Sequence, residues 1–122
     1  MHEMALAEGI LQLVEETALR EKALRVKRVI LEVGQLSAVE PASLAFCFSA
    51  VVKGSLAESA ELEIHEIPGA GWCHSCEQTV PLRERFAECP FCGAVPLQPT
   101  GGTEMRVREI EIESCDALKI NH

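Results

Sequence analysis

Two Cys-x-x-Cys pairs, Cys73 with Cys76 and Cys89 with Cys92, stand twelve residues apart and constrain this chain more than any other feature. Two residues between cysteines let both sulfurs of one tight turn face the same ion, and two such knuckles complete a tetrahedral four-sulfur site. The spacer is long enough for a short hairpin, with Val80, Leu82 and Phe86 as its apolar contacts. Gly93 can take a positive φ after the second knuckle. Glu77 stands at the matching place after the first, so a less regular turn is expected there. A segment this short buries too little apolar surface to fold alone, and a bound metal is expected to supply most of its stability. Four-sulfur geometry admits iron as well as zinc, and zinc is the default. With four protein ligands the ion keeps no open position and cannot activate water. A structural Zn(II) is expected, and no catalytic residue.

Disulfides are the competing use of cysteine. No secretory signal is expected, because Glu3 and Glu8 occupy the place of a basic leader segment. No apolar run is long enough to cross a bilayer. A cytoplasmic location follows as the expectation, and there reduced Cys-x-x-Cys pairs read as metal ligands.

The 122 residues suffice for one core and a small appendage, and 48% are hydrophobic. Net charge is −8, and four thiolates with one divalent ion carry it to about −10. Such a chain repels phosphate backbones. Arg83 and Arg85 are balanced by Glu77, Glu84 and Glu88, so no basic stripe forms. Nucleic acid and membrane are therefore not expected partners.

Apolar periodicity places a helix over 4–23, with Leu6, Ile10, Leu13 and Thr17 on one stripe and Ala7, Leu11, Val14 and Ala18 beside it. A strand follows over 25–33, ending at Gly34. A second helix begins near Pro41, presents Leu44, Cys47, Phe48 and Val51, and stops at Lys53 and Gly54. Cys47 reads as a small buried hydrophobe. Strands over 61–67 and 104–113 complete the frame, and the second changes apolar phase near Arg108 and Glu109, as a bulge would make it do. The fold class is α+β: a small sheet of about three strands packed with two helices. The frame comprises 1–68 plus 103–122, interrupted by a zinc-ribbon insertion at 69–102.

The chain opens Met1-His2-Glu3. A histidine at position two can close a chelate ring with main-chain nitrogens and the terminal amine, a donor set that suits Ni(II) or Cu(II). His65, His74, His122 and Cys115 carry no comparable signal.

Taken together, these features resemble the HypA/HybF family of hydrogenase nickel-insertion proteins. The resemblance spans essentially the whole chain. It rests on Met1-His2-Glu3, VGQLSAVEP at 33–41, residues 44–48, AELEI at 60–64, both cysteine pairs, and GTEMRV at 102–107. It implies a nickel metallochaperone for [NiFe]-hydrogenase maturation that is not an enzyme. Exchangeable Ni(II) falls on His2, with Glu3 and the Met1 amine as further donors, and structural Zn(II) on Cys73, Cys76, Cys89 and Cys92. The implied partners are a HypB-type GTPase, the hydrogenase large subunit and, in some organisms, urease maturation proteins. A zinc-ribbon module for protein interaction or nucleic-acid binding, without nickel, is the alternative.

Overall fold

Helix α1 (Glu3–Arg20) buries Ala7, Ile10, Val14 and Ala18. That turn-by-turn stripe of small and branched residues shares Ile10 with the expected stripe and otherwise runs through Ala7, Val14 and Ala18, the residues beside it. Leu13 is 46% exposed, and Thr17 turns its hydroxyl back to donate to the Leu13 carbonyl at 2.8 Å. The alanines decide the face, because their short side chains let the helix sit close to its neighbour α2 (Pro41–Val51). Glu40 caps α2, its Oε1 accepting the Ala42 N–H at 3.0 Å, and Pro41 fills the first helical position. Leu44 and Phe48 are the buried residues of α2. Cys47 is half-buried rather than fully enclosed.

The computed structural model describes residues 2–114. Its element order continues with β1 (Ala23–Gly34) before α2, then β2 (Glu61–Ile67), β3 (Ala70–Cys73), β4 (Gln78–Pro81), β5 (Gln98–Gly101) and β6 (Met105–Ser114) after it. Two three-stranded sheets form, in orders β2-β1-β6 and β4-β3-β5. The chain divides into two compact units. Residues 2–31, 40–64 and 107–114 belong to the first, and 32–39 with 65–106 to the second.

In the first unit β1 buries Val26, Val29, Ile30 and Leu31. Between them Arg28 reaches both neighbouring strands: Glu61 of β2 at 3.2 Å, Glu63 of β2 at 3.7 Å and Glu111 of β6 at 3.9 Å. Such exposed pairs are individually weak, so the apolar core carries the unit. Arg108 and Glu109 are successive exposed residues of β6, which is where the alternation changes phase.

The second unit has a small core of Leu36, Cys73, Val80, Leu82, Cys89 and Leu97. Residues 32–39 are built into it. Leu36 N–H donates to the Gly102 carbonyl at 2.7 Å and Gly34 N–H to the Glu104 carbonyl at 2.8 Å. The Gln35 side chain accepts the Gly69 N–H at 3.0 Å. A Cβ on Gly34 would overlap the Gly102 carbonyl, so the close backbone crossing requires glycine. β3 and β4 pair antiparallel from Ala70↔Pro81 to Cys73↔Gln78. The hairpin therefore straddles the first knuckle instead of lying inside the spacer. Phe86 is 95% exposed and takes no part in the core, while Val80 and Leu82 are buried as expected.

Candidate metal centre

Each cysteine pair sits on a turn whose backbone aims sulfur inward. In the first, Cys76 N–H donates to the Cys73 sulfur at 3.4 Å. In the second, Gly93 N–H donates to the Cys89 carbonyl at 2.8 Å and Cys89 N–H to the Ala94 carbonyl at 3.0 Å. Gly93 has φ 75°, and Glu77 takes the same left-handed conformation at φ 52°. Both knuckles thus pass through the left-handed region, the first with a strained side chain where glycine would be relaxed.

The four sulfurs lie within 4.8 Å of one another. Cys73 and Cys92 sulfurs are 3.6 Å apart, and those of Cys76 and Cys89 are 3.9 Å apart. A tetrahedron with zinc–sulfur bonds of about 2.3 Å has edges of about 3.8 Å. The donor set and its spacing fit zinc. Cys73 and Cys89 are buried in the core and Cys92 is exposed, so the centre is anchored on one side and reaches the surface on the other.

The thiols also show why a cation belongs here. Burial opposes ionisation of Cys89, yet the backbone N–H groups of Phe91 and Cys92 outweigh it and bring the thiol down to about 7. Cys76 moves the other way, to about 12, first through its hydrogen bond with Cys92 and then through burial. At Cys92 the Ala94 N–H and the Cys76 contact favour the thiolate, but the Cys73 contact, burial and the Cys89 contact raise it overall. Without a cation one thiolate forms readily and its neighbours resist following it. Zinc uptake must therefore expel protons. Fewer should leave as pH rises from neutrality towards about 8.5, the ordinary thiol value, because the cysteines of the metal-free, unfolded unit then begin to ionise on their own. Indicator-dye titration of metal-free protein with zinc measures this, and a release independent of pH across that range would contradict it.

His2 is the N-cap of α1, exposed, with no capping hydrogen bond from its side chain. Its carbonyl accepts the Leu6 N–H at 3.1 Å. The Glu3 carboxylate accepts the Glu40 N–H at 3.4 Å. The Met1 amine lies outside the described residues, as do Cys115 and His122. Among the described residues the four cysteines are the one group of three or more side chains able to share an ion, so His2 and Glu3 join no third side-chain donor there. His74 packs edge-on to Trp72, centroids 6.5 Å apart at 82°, and His65 is an exposed, partnered residue of β2. Arg85 stands in the spacer between the two cysteine pairs. Its Nε donates to the Leu36 carbonyl at 3.0 Å, and among the described residues neither it nor Arg83 forms an ion pair.

Residues 1–112 match a family model described as hydrogenase/urease nickel incorporation, metallochaperone, hypA. The chain belongs to the HypA family. Hydrogenase maturation factor HypA of Dechloromonas aromatica is 64% identical to it over 113 residues, covering 93% of this chain and all of that protein. HypA of Azotobacter vinelandii is 53% identical over the same coverage. The solution structure of the Ni metallochaperone HypA from Helicobacter pylori aligns with TM-score 0.67 and 25% identity, over 93% of this chain and 99% of that one. As a HypA protein this is a maturation factor and not an enzyme. The α+β fold with its four-cysteine cluster agrees with the HypA structures. No helix among the described residues is long and apolar enough to cross a membrane.

Proposed function

We propose that this HypA protein carries one exchangeable Ni(II) at its amino terminus, on the His2 imidazole with the Met1 amine and Glu3 as further donors. It delivers that ion for [NiFe]-hydrogenase maturation through contacts with a HypB-type GTPase and the hydrogenase large subunit, and urease maturation proteins are a second destination. The cytoplasm is its place of action, where thiols stay reduced. In this reading the nickel site belongs to the frame of 1–68 plus 103–122. The ribbon of 69–102 holds a structural Zn(II) on Cys73, Cys76, Cys89 and Cys92.

The observation that carries the reading is the match to a nickel-incorporation family beginning at residue 1, joined to an exposed His2 whose side chain is not spent on capping. A free imidazole at a chain end is accessible to a receiving protein, and nitrogen donors of this kind suit Ni(II). The positive end of the α1 dipole opposes a cation there. Glu3, in the first turn, offsets it. A four-thiolate centre closed around zinc leaves no position for cargo.

Nickel titration of zinc-loaded protein at a series of pH values tests the donors. Protons compete for imidazole and amine nitrogen, so affinity should fall as pH drops below neutral while zinc content stays constant. Affinity that is flat across that range would remove nitrogen donors from the account.

A further inference from the structure

The second unit carries an apolar groove that neither metal site uses. A cleft of about 390 Å³ is lined by Phe86, Val95, Pro96, Leu97, Pro99 and Arg85. Leu97 is buried and forms part of the small core, whereas Phe86 is 95% and Val95 65% exposed. Large apolar side chains held this far into water beside a concave surface mark an interaction site. The second observation is the charge at the groove. Arg25, Arg28 and Arg106 each lie against a glutamate. Arg85 does not pair with any carboxylate among the described residues, although the chain has a net charge of −8. Its single hydrogen bond, from Nε to the Leu36 carbonyl, fixes the guanidinium and leaves further N–H donors for a carboxylate.

We propose that this groove docks an extended segment of a partner protein bearing a large apolar side chain with a carboxylate close beside it. The apolar side chain seats between Phe86 and Val95 over Leu97, and the carboxylate is held by Arg85. One charged group in an otherwise apolar cleft suits a peptide anchor better than a small molecule, whose orientation needs several convergent polar groups. The proposal goes beyond the nickel reading and stands without it, since no residue of the groove is a metal donor.

Selection tests it. A phage-displayed library of random peptides is panned on the zinc-loaded full chain and counter-selected on the Val95→Asp protein. Enriched sequences should pair Leu, Ile, Met, Phe or Trp with a nearby Asp or Glu. Their synthetic versions should bind about tenfold more weakly to Val95→Asp and to Phe86→Ser. Arg85→Gln should erase the preference for the acidic peptide over its amide counterpart. Phe86→Ser guards against misfolding, because that side chain is almost wholly exposed, and unchanged zinc content and amide spectra confirm each variant. No enrichment over the counter-selection, enriched peptides without an acidic residue, or equal affinity for all variants would overturn the proposal. So would self-association of the native chain that Val95→Asp abolishes, since the occupant would then be a second copy.

Discussion

Cys89→Ser should strip zinc from the protein and unfold residues 32–39 and 65–106 together, while α1 and α2 keep their helical signal. Cys89 is both a proposed zinc ligand and a member of the small core with Leu36, Cys73, Val80, Leu82 and Leu97. That core is too small to hold the unit without metal. Structural zinc contributes on the order of 10–16 kcal/mol in comparable small modules, far more than these side chains can replace. The loss extends to 32–39 because Leu36 belongs to that core and the Leu36 N–H is bound to Gly102. The first unit has its own buried set, including Ile10, Val14, Leu31, Leu44 and Phe48. Elemental analysis should show zinc falling from about one ion per chain to none. Amide exchange should lose protection at Leu36, Gly69 and Leu82 and retain it along α1. Loss of the helical signal as well would mean that the two units do not fold separately.

The second large effect is expected at the amino terminus. His2→Ala should abolish specific nickel binding and leave zinc content and melting temperature unchanged. The imidazole is exposed and caps nothing, so its removal costs the fold little. An extension placed before Met1 separates the donors. It converts the terminal amine to an amide and should weaken nickel binding without altering any side chain. Normal affinity in the extended protein would retain His2 and exclude the amine. Unchanged affinity and stoichiometry in His2→Ala would defeat the terminal site.

Much of this was legible in the sequence because its signals are local. Pro41 marked the start of α2, the run from Glu61 to Ile67 is β2 to the residue, and the Cys-x-x-Cys spacing placed four sulfurs around one point. What failed depended on partners distant in sequence. Leu13 shared an apolar stripe with Leu6 and Ile10 by periodicity, but the alanine stripe packs closer and leaves Leu13 at the surface. Phe86 looked like core because it is large and apolar. The spacer encloses only Val80 and Leu82, and Phe86 borders the groove. Glu77 stands where glycine would be relaxed, and the turn imposes on it the left-handed conformation that Gly93 takes in the second knuckle. The part played by 33–41 was hidden more deeply. Gly34, Gln35 and Leu36 act through Gly69, Gly102 and Glu104, and no periodicity reports contacts at that separation.

The central claim is that nickel and zinc occupy different donor sets, nitrogen and oxygen at the amino terminus for one and four thiolates for the other. X-ray absorption at the nickel edge of the zinc-loaded, nickel-loaded chain reads it most directly. The account predicts a first shell of nitrogen and oxygen only, with the outer-shell signature of one imidazole that disappears in His2→Ala. Nickel bound to sulfur, with zinc displaced from the cysteines, would contradict it.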